Sequence, residues 1–342
     1  MPPTGSPPST RPLRPGDLPS LAPLLTAEAR ARAASLPALR RLEPDPGAAA
    51  TAAIRAVMED PAPAVRHVWF VAGPPGAAMG LVHALHLPVP PIYAGVFGPP
   101  GLIMADGALA PGAPEGTAAA LLGAAERALT GAGARLLLAA AFAPAPGEAP
   151  GPWAQAIRAA GYAPLTHYLA KDAFAPAAPA PPARPATAAD LPGIVARSAG
   201  NRRLLHALDP FWEPHPEADA RFGAWMRRSL TLPDRDMFVD EAGAGYAVAQ
   251  PATALHVPPG HAPGGVGMLD DFFHESLADP HGPGEDPGAE ALLAAAEGAF
   301  AARGLHSALA VCPAAWTSKR RLLERRGWRA ALEWRIRRPV PG

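Results

Sequence analysis

The chain carries one sequence pattern twice, and this internal repeat constrains its fold more than any other feature. An Arg-Pro pair, with Asp-Leu-Pro beginning six residues after its arginine, starts at Arg11 and again at Arg184. Three further anchors recur in the same order at offsets of 166 to 171 residues: Leu121-Leu122 with Glu126, Gly133 and Gly161-Tyr162 reappear as Leu292-Leu293 with Glu297, Gly304 and Gly327-Trp328. The spacing far exceeds the roughly 20 to 50 residues of a solenoid unit, so it indicates a duplicated domain.

Balanced charge excludes several classes of function. The 342 residues include 30 Lys plus Arg and 30 Asp plus Glu, so the formal net charge is zero. Such a chain has no overall attraction to nucleic acid or to an anionic membrane, and neither is expected as a partner. Cys312 is the only cysteine, which excludes an intrachain disulfide and a cysteine metal cluster, and no metal site is predicted.

Two further features of the sequence predict a cytoplasmic location. Residues 1–15 are rich in proline and lack the apolar core of a signal peptide. No run approaches about 18 apolar residues without a charge or a proline, so no membrane span is predicted. A cytoplasmic protein is therefore expected.

Composition also predicts where the two copies begin and end. Residues 1–10 are predicted to be a disordered tail, and residues 173–183, made of alanine, proline and one phenylalanine, an extended linker. The N-terminal domain then spans residues 11–172 and the C-terminal domain residues 184–342.

Apolar runs and Gly/Pro breaks predict the same order of elements in both copies, β-α-α-β-β-β-α-β-α-β. In the first copy, strands are expected at 65–72, 78–87 and 101–109, then a helix at 115–131, a strand at 135–142, a helix at 153–161 and a strand at 162–171. The second copy repeats this series from 236 to 337. Asp17 and Asp190 are predicted N-caps, each with a proline two residues later.

This order of elements, present twice, resembles that of the GNAT superfamily of acetyl-CoA-dependent N-acyltransferases. The resemblance extends from Arg11 to Arg338. It implies an α+β protein of two GNAT-like domains in tandem, each a mixed α/β sheet flanked by helices. It also implies acetyl-CoA as co-substrate and an amine, on a small molecule or a protein, as acceptor.

In this superfamily a loop of pattern Gln/Arg-x-x-Gly-x-Gly/Ala opens the central helix and holds the pyrophosphate of coenzyme A. Unpaired N–H groups and the helix dipole attract such an anion, and glycine lets the backbone approach it closely. The resemblance implies that Gly116, Thr117 and Ala118 have this role in the first copy, although Ala113 replaces the Gln or Arg.

The second copy departs further from that pattern. Aligned on Leu292-Leu293, the resemblance points to Gly288 and Ala289 as pyrophosphate-binding residues, with Pro287 in place of the first glycine. Proline has no N–H to offer a phosphate. The alternative for this segment is an ordinary helix start, with Asp286 as N-cap and Pro287 in the first turn.

Amine acetylation needs a base, and the densest group of titratable residues lies on the predicted strand 266–275. Alternation along a strand places Asp271 and Glu275 on one face and Asp270 and His274 on the other. A carboxylate on the buried face would have a raised pKa that suits a base. Asp271, His274 and Glu275 are therefore the candidate catalytic residues, and the alternative is a strand end that carries solvated charges.

The superfamily often carries a Tyr four residues before the Gly-aromatic pair, where its hydroxyl protonates the departing thiolate. Those positions are Ile157 and Leu323 in this chain, and neither side chain can donate a proton. Either water or another group takes that role, or the site is not catalytic.

Other titratable residues have simpler interpretations. The first copy offers His83, His86 and Asp106; the two histidines, three apart on a predicted strand, face opposite ways and are expected to be core residues. Buried roles are also expected for Tyr93, Tyr246 and Cys312. From Lys319 to Arg338, nine basic residues stand against two acidic ones, and they are either a counter-charge for the 3′-phosphate of coenzyme A or for an acidic partner, or a solvated helix face.

Two functions remain open from the sequence. The first is an acetyl-CoA-dependent N-acyltransferase that acts on an amine of a small molecule or protein. The alternative is a non-catalytic, duplicated GNAT-like module that binds a ligand or partner, which the missing Gln/Arg and Tyr in both copies favour.

Overall fold

The structure of the chain, a computed structural model, describes residues 8–63, 65–87, 98–144, 147–253 and 257–338. Within these ranges the chain forms eight α-helices and thirteen β-strands, and all thirteen strands join one mixed sheet. The fold is therefore a mixed α/β arrangement, as predicted.

The first half follows the predicted order of elements. Its helices are α1 (Leu18–Ser35), α2 (Pro46–Glu59), α3 (Thr117–Gly131) and α4 (Pro152–Ala159). Its strands are β1 (Thr10–Pro12), β2 (Arg66–Ala72), β3 (Gly80–His86), β4 (Gly101–Ile103), β5 (Ala108–Leu109), β6 (Leu137–Phe142) and β7 (Ala163–Asp172). The single strand predicted at 101–109 is wrong: β4 and β5 are separate because residues 104–107 stand opposite only two residues of β3 and leave the sheet.

The second half repeats the series. Its helices are α5 (Leu191–Leu208), α6 (Ala218–Ser229), α7 (Pro287–Ala302) and α8 (Thr317–Arg325). Its strands are β8 (Ala183–Pro185), β9 (Asp236–Asp240), β10 (Gly245–Pro251), β11 (Val266–His274), β12 (Ser307–Pro313) and β13 (Arg329–Arg337). Each helix of the first half thus has a counterpart in the second half, as the sequence repeat predicts.

The strands lie in the order β1-β2-β3-β4-β6-β13-β7-β12-β11-β10-β9-β8, with β5 beside β3. Two neighbouring pairs are parallel, β4 with β6 and β11 with β12, and the other pairs described are antiparallel. The crossover helices α3 and α7 join the two parallel pairs, as a parallel connection requires.

The two halves exchange their last strands. β7 of the first half lies beside β12 of the second, and β13 of the second half lies beside β6 of the first. Each exchanged strand also carries a cation to a helix of the other half: Lys171 Nζ lies 2.8 Å from Glu297 on α7, and Arg337 Nη1 lies 2.9 Å from Glu126 on α3. Backbone pairing and charge therefore join the halves into one sheet.

The repeated sequence anchors make the same contacts in both halves. Arg11 and Arg184 each form a two-pronged ion pair, at 2.7 to 2.9 Å, with Asp17 and Asp190 respectively. Asp17 and Asp190 occupy the N-cap positions of α1 and α5, as predicted, although neither side chain accepts a hydrogen bond from its helix. Each carboxylate instead closes the short turn before its helix.

The glutamate anchors are fixed by the aromatic anchors. The hydroxyl of Tyr162 donates to Glu126 at 2.8 Å, and Trp328 Nε1 donates to Glu297 at 2.9 Å. The crossover helix of each half is thereby tied to the residue that leads into the exchanged strand.

Each half also sends a loop across the centre of the sheet. Leu36 and Leu39, between α1 and α2, pack on β11 and β12 of the second half. The imidazole of His261, 4% exposed, holds this loop, with Nδ1 2.8 Å from the carbonyl oxygen of Leu39. In the second half, Phe211 and Trp212 pack on β6 and β13 in the same manner.

The segment predicted as a linker is packed against the second half. Phe174 contacts the rings of Phe300 and Trp328, and the backbone at Ala177 touches α7 so closely that a β-carbon at Gly298 would lie 2.3 Å from the Ala177 carbonyl oxygen. Thr10, assigned to the tail, already belongs to β1. Residues 1–7 of that tail lie outside the described residues.

Candidate active site

In each half the parallel strands separate at their carboxyl ends. The β4–β6 pairing stops at Ile103 and Ala139, while β6 continues to Phe142. The β11–β12 pairing stops at Leu269 and Ala310, while both strands continue. A gap between two parallel strands thus opens in both halves, and the two gaps differ in what fills them.

In the first half a cavity of about 730 Å³ occupies the gap. Its walls are the end of β6 at 140–142, the start of α4 at 151–156, the loop and first turn of α3 at 111–119 and, after β4, Met104, Ala105, Gly107, Leu109 and Ala110. One open space therefore connects the strand gap with the N-terminus of the crossover helix.

The start of α3 is open to this cavity. Gly116 is the N-cap, with φ at +83°, and no side chain caps the helix. A β-carbon at Gly116 would meet no atom within 4 Å, while Thr117 fixes the turn by donating its hydroxyl to the Pro114 carbonyl oxygen at 2.6 Å. Among the described residues, no acceptor pairs with the N–H groups of Ala118 and Ala119. These donors and the positive end of the helix dipole suit an anion.

The opposite end of the cavity is formed by α1. Arg32 is 7% exposed, donates to the Gly107 carbonyl oxygen and lies 4.9 Å from the centre of the Phe142 ring. Its guanidinium also pairs with Glu28 at 3.0 Å. The paired charges leave this end polar without excess charge.

Three titratable side chains lie in a row behind residues 104–107. His83 Nδ1 is 2.7 Å from Asp106 Oδ2, and His83 Nε2 is 3.0 Å from His67 Nδ1. The ring of Trp69 stacks on both imidazoles. The row therefore runs from the loop that forms the cavity wall, across β3, to a half-buried histidine on β2.

The surroundings of this row keep the Asp106 carboxyl ionised and the His67 ring neutral at pH 7. Burial lowers the pKa of His67, and the neighbouring His83 lowers it further, so His67 is neutral at pH 7. Burial acts to raise the pKa of Asp106, but the charge and hydrogen bond of His83 and the charge of Arg32 outweigh it and hold the pKa below its usual value. Asp106 Oδ1 is buried and has no hydrogen-bond partner among the described residues.

The second half has a closed helix start. Asp286 is the N-cap of α7 and accepts the N–H of Ala289 at 2.9 Å. Ala289 is 0% exposed, and a β-carbon at Gly288 would lie 2.8 Å from His274 Nε2. Gly288 and Ala289 thus lie against protein atoms, in the ordinary helix start that was the alternative for this segment.

The loop before α7 is also packed onto α8. The hydroxyl of Thr317 donates to the Pro280 carbonyl oxygen at 2.7 Å, Arg321 donates to that of Gly282 at 3.1 Å, and Arg325 donates to that of Gly284. The equivalent loop of the first half is separated from α4 by the cavity. Side chains of α8 therefore fill the space that is open in the first half.

Lys319 completes this closure. Its ammonium donates to the Phe272 carbonyl oxygen on β11 at 2.8 Å and lies 5.0 Å from the centre of the Trp316 ring. Lys319 is 6% exposed, and burial lowers its pKa. At the repeat offset of 166 residues its counterpart is Trp153, a wall residue of the open cavity.

A separate cavity of about 610 Å³ remains in the second half. It lies between α5, α6 and the carboxyl ends of β11 and β12. Its lining residues are Ser198, Asn201, Arg202, Leu205, Trp212, Arg221, Phe222, Trp225, Asp270, Asp271, Val311, Pro313, Trp316 and Lys319. None of the α7 or preceding loop residues is among them.

The predicted alternation along β11 is wrong at its acidic pair. Val248 pairs with Asp271 and Ala249 with Leu269, so Asp270 is an extra residue, a β-bulge. Asp270 and Asp271 consequently line the same cavity. Burial raises the pKa of Asp270 to about 6, with the charge of Asp271 as a second cause. Burial also raises the pKa of Asp271, whose carboxylate accepts from Tyr246 at 2.7 Å and from Asn201 at 3.3 Å.

Comparison with solved structures identifies the fold. A GCN5-related N-acetyltransferase from Sphaerobacter thermophilus superposes with a TM-score of 0.56 at 18% identity, over 98% of this chain and 96% of that one. This chain has a tandem GNAT fold. A tandem GNAT protein of the clavulanic acid biosynthesis pathway matches over 98% of this chain and 99% of its own, at 15% identity and a TM-score of 0.49. No protein-family model matches the chain, and no curated protein matches its sequence.

A further GNAT structure matches only part of the chain. It is a phosphinothricin acetyltransferase from Sinorhizobium meliloti in complex with AcCoA, 17% identical over 50% of this chain and 82% of that one, with a TM-score of 0.35. Identities this low show the fold alone.

The structure separates the three predicted catalytic residues of the second GNAT repeat. Asp271 lines the cavity of the second half, as described above. His274 is buried against α7, with Nδ1 2.7 Å from Ser276 Oγ and 3.4 Å from Asp286. Glu275 is exposed and pairs with Arg197. The geometry therefore brings none of the three together.

In the first GNAT repeat, the predicted residues lie at the open cavity or in the core. Gly116, Thr117 and Ala118 all line the open cavity. His83 is a buried residue with both ring nitrogens bonded, as expected of a core histidine. No sequence signal marked His67, because only the pairing of Trp69 with His83 between β2 and β3 brings it within reach.

The remaining predictions concern core residues. Ile157 and Leu323, at the position of the usual tyrosine, are 1% and 0% exposed. Cys312 is buried, and burial raises the pKa of its thiol to about 12. The hydroxyl of Tyr246 is bonded, as expected, and Tyr93 lies outside the described residues.

The basic C-terminal segment is used inside the fold. Arg326 pairs with Glu297 at 2.7 Å, Arg335 with Glu333 at 2.9 Å, and Arg338 with Asp209. Arg321, Arg325 and Arg337 make the contacts given above. Neither a coenzyme phosphate nor an acidic partner is needed to explain these charges.

The described residues contain neither a membrane-spanning helix nor a metal-binding cluster. None of the described helices combines the length and apolarity needed to cross a bilayer. No group of three or more His, Cys, Asp or Glu in the described part of the chain has a spacing that could hold a metal ion.

Proposed function

We propose that this protein is an acyl-CoA-dependent N-acyltransferase whose donor, acetyl-CoA, binds in the first half. The observation that carries the proposal is the single cavity that runs from the uncapped start of α3 to the gap between β4 and β6. The N–H groups at Ala118 and Ala119 would hold the diphosphate, and the strand gap would receive the pantetheine arm. The fold of the GNAT structures reported above supports this placement.

The acceptor amine would approach from the α1 side, beside Glu28 and Arg32. Attack on a thioester requires the amine to lose a proton, and thioester and amine must be held in reach of each other. Asp106 would accept that proton at its unpartnered Oδ1, and His83 and His67 would pass charge toward the surface. The thiolate would be protonated by water, since Ile157 offers no proton.

The second half would then be a partner domain without a donor site. Its equivalent of the phosphate position is occupied by the Asp286 carboxylate, and its equivalent of the pantetheine groove by Lys319 and the loop packed on α8. The base would therefore lie in the first half and would not be Asp271.

The test uses a matched pair of substitutions at Ala119, an exposed residue of the cavity wall at the third position of α3. A119D places a carboxylate where the diphosphate would bind, and A119N places an uncharged group of the same shape there. An acidic residue at this position favours the helix, so A119D should fold. Acetyl-CoA binding, measured by calorimetry, should weaken about tenfold or more in A119D relative to A119N.

Control variants complete the experiment. Asp286→Ala removes the α7 cap and should leave acetyl-CoA binding unchanged. Asp106→Asn should leave binding unchanged and reduce the acetylation rate on a panel of amines by about a hundredfold. If the wild type does not bind acetyl-CoA, the protein is a non-catalytic module. If A119D and A119N bind equally, the donor site is elsewhere.

A further inference from the structure

Lys319 on α8 is a buried amine that the proposed acyl transfer does not use. It lines the cavity of about 610 Å³ in the second half, which shares no lining residue with the proposed donor site. This volume lies in the range of ordinary small-molecule sites, roughly 300 to 1,000 Å³. Because Lys319 is only 6% exposed, its amine lies inside the fold, at a wall of this cavity, and away from bulk water.

A lysine at this position departs from the usage of the rest of the chain. Of the 30 basic residues only Lys171 and Lys319 are lysines, and the others are arginines. Lys171 forms an ion pair with Glu297 at 2.8 Å, whereas no carboxylate of the described residues lies within ion-pair distance of Lys319. A lysine can lose its proton and attack an electrophile, but a guanidinium stays charged. The exception to arginine therefore lies where an amine would meet a bound molecule.

The contacts of Lys319 favour the neutral amine. Its Nζ donates to the Phe272 carbonyl oxygen at 2.8 Å, and this is its one hydrogen-bond acceptor among the described residues. The centre of the Trp316 ring lies 5.0 Å away. A buried ammonium with three donors and one acceptor is unfavourable. Burial accordingly lowers the pKa of Lys319, and the charges of Cys312 and Asp271 offset this only in part.

Two carboxyl groups of the β11 bulge line the same cavity as this amine. Asp271 is held by Tyr246 at 2.7 Å and by Asn201 at 3.3 Å. Among the described residues no donor forms a hydrogen bond with Asp270, and burial raises its pKa to about 6. Such a carboxyl both accepts and donates a proton near neutral pH. The cavity thus holds a nucleophile together with an acid–base group.

The rest of the wall is mostly apolar, and its cations already lie on its rings. The guanidinium of Arg202 is 5.4 Å from the centre of the Phe222 ring, and that of Arg235 is 5.2 Å from the Trp225 ring. The ring faces that would attract a cationic ligand are therefore occupied, which favours an uncharged one.

We infer that the cavity of the second half binds an uncharged aldehyde and that Lys319 holds it covalently as an imine. The lone pair of Nζ attacks the carbonyl carbon and forms the C–N bond, and the carbonyl oxygen takes up a proton to give a carbinolamine. The C–O bond then breaks as the C=N bond forms, and the oxygen leaves as water with both amine hydrogens. The carboxyl of Asp270 carries protons from nitrogen to oxygen. One amine and one aldehyde thus give one imine and one water, without an oxidant or a reductant.

The experiment traps the imine in the full-length protein at pH 7 with cyanoborohydride, using benzaldehyde as the probe. Peptide mass mapping measures the rate at which each lysine acquires a benzyl group. Lys171 is the reference within the same molecule, and K319R and K171R are the matched variants. Benzyl alcohol, which has the same ring and cannot form an imine, serves as a competitor. No acetyl-CoA is present, so the outcome does not depend on the proposed donor site.

Lys319 should be labelled at least about tenfold faster than Lys171, because more of its amine is neutral and the cavity holds the aldehyde beside it. Its labelling should saturate with benzaldehyde concentration and slow in benzyl alcohol, while that of Lys171 does neither. K319R should lose the fast label and K171R should keep it. Equal labelling of the two lysines in the wild type, or slower labelling of Lys319, would overturn the assignment even if K319R failed to fold. Fast labelling of Lys319 that neither saturates nor slows in benzyl alcohol would overturn the binding site.

Discussion

Asp270 should destabilise the free protein, and its removal should therefore raise the free energy of unfolding. The carboxyl lines the cavity of the second half, where burial and the charge of Asp271 raise its pKa from 3.8 to about 6. A carboxyl whose pKa is higher in the folded state favours folding only while it is protonated. That contribution is present below pH 3.8, declines as the pH rises, and is lost above pH 6.

The size of the effect follows from the shift. One pKa unit corresponds to 1.36 kcal/mol, so the shift from 3.8 to about 6 corresponds to at most about 3 kcal/mol at neutral pH. Asp270→Asn keeps the shape of the side chain and removes the charge. Part of the gain is offset because the amide also lacks a partner, so an increase of about 1 to 2 kcal/mol is expected at pH 7.5.

Urea denaturation at pH 4.5 and pH 7.5 measures this increase in the free energy of unfolding. The proteins compared are the wild type, D270N and D234N, a control at an exposed carboxylate in the loop before β9. D270N should exceed the wild type in free energy of unfolding by a small amount at pH 4.5 and by the full amount at pH 7.5. D234N should match the wild type at both pH values. The reasoning would be refuted if D270N were less stable than the wild type at pH 7.5, or if its gain in stability were the same at both pH values.

Two further predictions concern the contacts between the halves. Burial lowers the pKa of His261 to about 4, and the ring is neutral while it holds Leu39, so stability should fall as the pH drops from 6.5 toward 4. Between pH 7.5 and pH 5, the free energy of unfolding of the wild type, measured by urea denaturation, should fall by about 2 kcal/mol more than that of His261→Asn. Equal falls in the two proteins would contradict this. Fragments 1–182 and 183–342 should each fail to fold alone and should restore the far-UV spectrum when co-expressed, because β7 and β13 are exchanged; a stable monomeric first fragment would contradict it.

The repeat and the order of elements could be predicted because their signals are local or recur. Asp17 and Asp190 stand at matching places in the sequence, and both make the same ion pair in the fold. Gly116 was identified by its place before a helix, and the cavity reaches it. Apolar runs and Gly/Pro breaks depend on near neighbours, so a single chain reveals them.

The rest depended on contacts between distant residues. The bulge at Asp270 is set by the pairing of β10 with β11 and has no signature in the strand itself. His67 and His83 meet only through the register of a hairpin, and Lys319 reaches β11 from α8, 47 residues away. The sequence pattern also predicted that each half keeps its own last strand. The exchange of β7 and β13 was missed because the sequence of a strand does not specify which strand it pairs with.

The exchanged strands bear on how the two copies could diverge. Were the second copy deleted, β6 would lose β13, its outer neighbour, and Glu126 would lose the guanidinium of Arg337. The first copy therefore depends on the second for part of its sheet. The start of α7 takes no part in these contacts, so it could change between the copies without loss of the shared sheet.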